Sequence, residues 1–129
     1  MLLDSNTVIY AIKPEFSKLR ELIAKQNPAV SVISYLEVLG YQKLTIEDER
    51  DFREFFQSTL MIPISQWVLE NAVKLRQQRK MSLGDAIVAA TAMLNGSTLV
   101  TANVKDFQWI KDIKLLNPLT ELLMTNELL

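Results

Sequence analysis

The chain has 129 residues, enough for one domain that buries about two-thirds of its unfolded surface without disulfide or metal support. Its 14 Lys and Arg against 15 Asp and Glu leave a net charge of -1, which excludes a general basic coat for polyanions. With no His and no Cys, it has no imidazole base, no thiol nucleophile and no Cys/His zinc site, so a bound metal would have oxygen ligands, which favours Mg²⁺ or Mn²⁺.

The elements follow in chain order. Leu2-Leu3 is a short apolar run ending at Asp4, and residues 6–12 read as a short helix. Pro14 suits the first turn of a second helix carrying Phe16, Leu19 and Ile23, which Asn27-Pro28 stops. Residues 29–33 (AVSVI) are short and rich in β-branched side chains, a buried strand. Ser34 then opens a helix with Leu36, Val38 and Leu39, and Thr45 opens another with Phe52, Phe55 and Phe56. Residues 60–64 (LMIPI) form an extended run with Pro63 near its end. Ser65 caps a helix carrying Trp67, Val68, Ala72 and Leu75. Ser82 starts the apolar helix DAIVAATAML, which Asn95-Gly96 ends. Residues 99–101 form a strand, and residues 113–116 another.

Short apolar strands alternating with helices predict parallel pairing through right-handed crossovers. The expected architecture is a three-layer α/β/α sandwich around a four- or five-stranded, mainly parallel sheet, one domain over 1–129. No leader pattern opens the chain and no apolar run is long enough to span a bilayer, so a cytoplasmic, non-membrane protein is expected.

Ligands of open parallel sheets bind beyond the carboxyl ends of the strands. Asp4 follows the first strand, Glu37 stands in the first turn after AVSVI, and Asp85 enters the apolar helix. Thr101-Ala102-Asn103 follows the LVT strand, with Asp106-Phe107 just beyond. Acids gathered at one edge repel unless a cation lies between them. A plainer reading competes. Ser34-x-x-Glu37 and Ser82-x-x-Asp85 follow the spacing of capping boxes, and Asp4 alone suits a helix cap. The conjunction at strand ends favours a metal site.

The segments LDSN at 3–6, SYLEV at 34–38, SLGDAIVAATA at 82–92 and TANVKDF at 101–107 together resemble the PIN domain, specifically the VapC-type toxin ribonucleases. The resemblance runs from Met1 to about Pro118. It implies a metal-dependent endoribonuclease, a homodimer, and a cognate antitoxin protein as partner. It implies Asp4, Glu37 and Asp85 as the catalytic acids holding Mg²⁺ or Mn²⁺, with Ser5, Asn6 and Thr101 in support. Asn103 falls where many relatives carry a fourth acidic ligand; the neutral side chain weakens a second metal, and Asp106 is close enough in sequence to compensate. Arg79 and Lys80, just before Ser82, are read either as a solvated helix end or as a guide for RNA phosphates.

Three other readings compete. An aspartyl phosphatase of the haloacid-dehalogenase type would use Asp4 but needs an acid where Asn6 stands. A phospho-receiver domain needs an Asp and a Lys at strand ends that lack them. A PIN-fold module that binds RNA or a partner with weak or no catalysis is the serious alternative.

Overall fold

A computed structural model of the chain describes residues 1–120, except for the side chain of Leu22. Positions 121–129, and with them most of the leucine-rich tail from Leu119 to Leu129, lie outside the described residues. Five strands, β1 (Leu2–Leu3), β2 (Ala29–Ser31), β3 (Leu60–Ile62), β4 (Leu99–Val100) and β5 (Leu115–Leu116), form one sheet in the order β3-β2-β1-β4-β5. Every pairing is parallel. The helices are α1 (Ser5–Ala11), α2 (Ser17–Gln26), α3 (Val32–Leu39), α4 (Ile46–Gln57), α5 (Gln66–Gln78) and α6 (Leu83–Leu94).

The two-residue period of a strand builds the three layers. Leu2 and Leu99 point to one face of the sheet, where Val68, Ala72 and Leu75 of α5 and the apolar side of α6 cover them. Leu3 and Val100 point to the other, where Val8, Leu19, Val38, Phe52 and Phe56 of α1 to α4 pack. Both central strands are therefore buried on both faces, which explains why they read as unbroken apolar runs.

Side-chain caps set several helix starts. Thr45 accepts from the Asp48 N–H at 3.1 Å, Ser65 from Val68 at 3.2 Å and Ser82 from Asp85 at 3.1 Å. Asn27 ends α2 in the left-handed conformation, with φ of 49°. Asn95 and Gly96 end α6 as expected.

Several boundaries differ from the sequence reading, among them the 99–101 strand, which stops at Val100, and the 6–12 helix, which spans Ser5–Ala11. The AVSVI strand stops at Ser31, whose Oγ accepts from the Ile33 N–H at 3.2 Å and starts α3 at Val32, not at Ser34. The β-branched pair Val32-Ile33 thus joins the helix because a cap overrides strand propensity. The LMIPI strand stops at Ile62, since Pro63 has no N–H for a ladder. Pro14 opens a short 3₁₀ turn, Pro14–Phe16, and α2 begins only at Ser17. The last strand is confined to Leu115–Leu116, and a 3₁₀ turn, Val104–Asp106, lies between β4 and β5. Trp67 is 73% exposed and is not part of the core. No helix of the described residues is long and apolar enough to cross a membrane.

Candidate functional site

β1, β2 and β4 lie side by side and run the same way, so the residues leaving them share one edge of the sheet. Asp4 leaves β1. It is only 6% exposed, and its Oδ1 accepts from the Thr7 N–H at 2.8 Å as the cap of α1. Thr7 in turn donates its hydroxyl to the Val100 carbonyl at 3.0 Å, which ties this cap to β4. The capping role of Asp4 is thus real, and it leaves Oδ2 for other work.

Glu37 is different. With Ser31 as the cap, Glu37 stands well inside α3, too far along to close a capping box. Its Oε1 lies 2.8 Å from Ser5 Oγ, and Ser5 Oγ lies 3.0 Å from the buried Ser34 Oγ. A hydroxyl has one proton. Ser5 donates its own to the carboxylate, so the Ser34 hydroxyl donates to Ser5. This relay aims Glu37. Gly84, on the first turn of α6, gives the carboxylate room: a Cβ there would meet Glu37 Oε2 at 2.5 Å and Cδ at 2.9 Å. Ser34 and Gly84 were not singled out in the sequence, where Ser34 looked like a helix cap.

Asp85 enters α6 one residue later and is half-buried. Burial pushes its carboxyl above the ordinary Asp value, and the charges of Asp106, Asp4 and Glu37 push the same way. A hydrogen bond from Ser82 opposes them. Asp106 is the strongest of the three acidic neighbours. Asp85 therefore feels three other carboxylates. The ion pairs of the described residues, Arg50–Asp51 and Arg53–Glu49, both lie on α4. Among the described residues no three acids stand close enough to form a ready ligand group. The donor set is all oxygen, as Mg²⁺ or Mn²⁺ requires.

The remaining predicted residues are distributed around these acids. Asn6 is exposed on α1. Thr101 is fully buried, and its Oγ1 accepts from the Asn103 N–H at 3.0 Å, fixing the turn into residues 104–106. Asn103 lines a depression with Asp106 and Asn117. Arg79 and Lys80 reach a cavity of about 240 Å³ that Asp85 and Asp106 also line.

The PIN domain family model matches residues 1–112. The chain belongs to the PIN domain family. No curated protein sequence matches it. A toxin–antitoxin complex from Klebsiella pneumoniae contains a chain 33% identical to this PIN domain, with 91% of this chain and 96% of that one covered and a TM-score of 0.70. VapBC2 from Rickettsia felis, bound to a promoter DNA fragment, matches at 25% identity, 90% and 96% coverage and a TM-score of 0.76. DNA-bound VapBC from Salmonella typhimurium shares the fold at 20% identity, 91% and 96% coverage and a TM-score of 0.78. The VapC-type resemblance read from the sequence and the α/β/α fold both stand.

Proposed function

We propose that this PIN domain is a metal-dependent endoribonuclease, the toxin of a toxin–antitoxin pair. The observation that carries the proposal is Asp85: half-buried, raised by three neighbouring acids, and without a paired Lys or Arg among the described residues. The single hydrogen bond from Ser82 does not offset burial and three acidic neighbours, and a divalent cation would. Asp4 and Asp85 would hold the ion, with Glu37 direct or through water, and Asn103 or Asp106 beside them. When bound, Mg²⁺ or Mn²⁺ would acidify a water and offset charge on the scissile phosphate.

The protein's own groups do the rest. The Ser34–Ser5 relay holds Glu37 Oε1, so Oε2 is oriented to take a proton from an attacking water. The cap from Thr7 keeps Asp4 in one rotamer. Arg79 and Lys80 stand beside Asp85 and would lead phosphates toward it.

The partners are part of the same proposal. A groove of about 520 Å³ between α1, α3 and α4, walled by Ile9, Ile12, Tyr41 and Leu44, also has Glu37 in its wall. An antitoxin segment lying in it would reach the acids and block them. Leu69, Val73 and Leu83 leave an apolar strip exposed on α5 and α6, suited to a homodimer.

The test is cleavage of total RNA by antitoxin-free protein, with Mn²⁺ or Mg²⁺ against excess chelator. Discrete metal-dependent cuts are expected, and Asp4→Asn should abolish them. One observation favours the alternative of a PIN-fold binding module without catalysis, namely that no three acids form a ready ligand group among the described residues. Protein that neither cuts RNA nor binds Mn²⁺ would establish that alternative.

A further inference from the structure

The cavity beside Asp85 has a chemistry that the acids do not explain. Its walls are Arg79, Lys80, Met81, Lys105 and Trp109, with Asp85 and Asp106 at one side. The guanidinium of Arg79 lies over the Trp109 ring, 5.6 Å from its centroid. Trp109 Nε1 donates to the Asp106 carbonyl at 2.9 Å, so the indole is fixed to the turn that carries Asp106 and Lys105. On the other wall, Arg76 Nε donates to the Met81 carbonyl at 3.1 Å and pins the segment that carries Arg79 and Lys80. Three cations and one aromatic plane thus converge on a space that shares a wall with the acids.

Size and charge select the ligand. About 240 Å³ falls below the roughly 300–1,000 Å³ usual for a free small molecule, which suits one unit of a longer chain. The whole protein carries a charge of -1, so these cations are a local feature and not a share of a basic surface. An acidic peptide would satisfy Arg79, Lys80 and Lys105 but would make no use of the indole. A nucleotide uses both: phosphate on the lysines, base against the Arg79–Trp109 cation–π pair.

We propose that this cavity is a substrate subsite for single-stranded RNA, holding the nucleotide next to the scissile phosphate with its base stacked on Arg79 and Trp109. The proposal rests on the nuclease reading and names the substrate class it requires. A base reaches this stack only when it is unpaired, so the cut falls in loops or open strands and not in duplex.

The test uses Trp109 as its own reporter. The full chain with Trp67→Phe keeps Trp109 as the single indole, and fluorescence is followed at low salt in excess chelator, where no cleavage occurs. A short single-stranded RNA should quench Trp109 saturably, and the same sequence as duplex should not. Arg79→Ala, at an exposed position, should weaken binding by about 5- to 150-fold, the range for losing one stacked base. Trp109 also touches the core, so Trp109→Phe, which keeps a ring, serves as the conservative variant; with the indole gone, its binding is read by anisotropy of a labelled RNA, and it should retain part of the affinity. Lys80→Ala and Lys105→Ala should each reduce the salt dependence, by about 0.7 in logarithmic slope. Equal quenching by duplex, or quenching by polyglutamate with none by RNA, would overturn the subsite. Metal-dependent cleavage with an unchanged KM in Arg79→Ala would also overturn it while leaving the nuclease reading intact. Quenching by single-stranded RNA from a protein that never cleaves would defeat the nuclease reading, and the substrate subsite with it, and leave an RNA-binding cavity.

Discussion

Gly84 offers a way to disturb Glu37 without altering any acid. A Cβ at Gly84 would stand 2.5 Å from Glu37 Oε2 and 2.9 Å from Oε1. Ordinary contact begins near 3.4 Å, so in Gly84→Ala the carboxylate must retreat by about 0.9 Å, and along the Ser5 bond that would open 2.8 Å to about 3.7 Å, beyond hydrogen-bonding range. The atoms in the way are the end of a flexible side chain, not backbone, so the fold itself need not shift. Alanine is the better helix former by roughly 0.5–1 kcal/mol, and the weakened hydrogen bond costs about 1–2 kcal/mol. Net stability therefore falls by no more than about 1.5 kcal/mol, a few degrees in Tm. A displacement near 1 Å at a reacting group costs on the order of 100-fold in rate. Single-turnover RNA cleavage and thermal melting, measured on the same preparations, test this, with Ser5→Ala as a second route to the same carboxylate. Full cleavage by a folded Gly84→Ala would show that the position of Glu37 does not matter. A collapse in stability would show that the contact with Glu37 is rigid, against the reasoning here.

Two further outcomes follow. In chelator, the raised carboxyl of Asp85 means that the folded state binds its proton more tightly than the unfolded chain does, so this group's contribution falls as pH rises from near 3.8 through its folded value. Asp85→Asn removes that penalty: it should melt higher than the wild type at pH 7, with the gap closing toward pH 4 and on adding Mn²⁺, as melting curves will show. On the apolar strip, Val73→Glu places a charge on a half-exposed face between Leu69 and Leu83. Light scattering should find the wild type as a dimer and this variant as a folded monomer.

Much of the architecture was legible because buried strands and capped helices leave local signals. Thr45, Ser65 and Ser82 each occupy the cap that their spacing predicted. The start of α3 was misread because Ser31 and Ser34 are equally good caps in sequence, and only the bond to the Ile33 N–H decides between them. That difference matters for function, since it removes the capping explanation for Glu37. Asp4, Glu37 and Asp85 were legible as strand-end acids. The weight of Asp106 on Asp85 was not, because a 3₁₀ turn with no side-chain cap brings it there. Nor was Trp109, since only the fold carries Arg79 across to its ring.

The chemistry of the cut ends distinguishes metal-dependent hydrolysis from every other route of cleavage. RNA cleaved by the wild-type protein in Mg²⁺, with Asp85→Asn as the blank, can be mapped for its terminal groups. Attack by water at an acid-bound metal predicts 5′-phosphate and 3′-hydroxyl ends, absent from the Asp85→Asn reaction and from chelator. Cleavage that persists in chelator, or that leaves 5′-hydroxyl and cyclic phosphate ends, would contradict it.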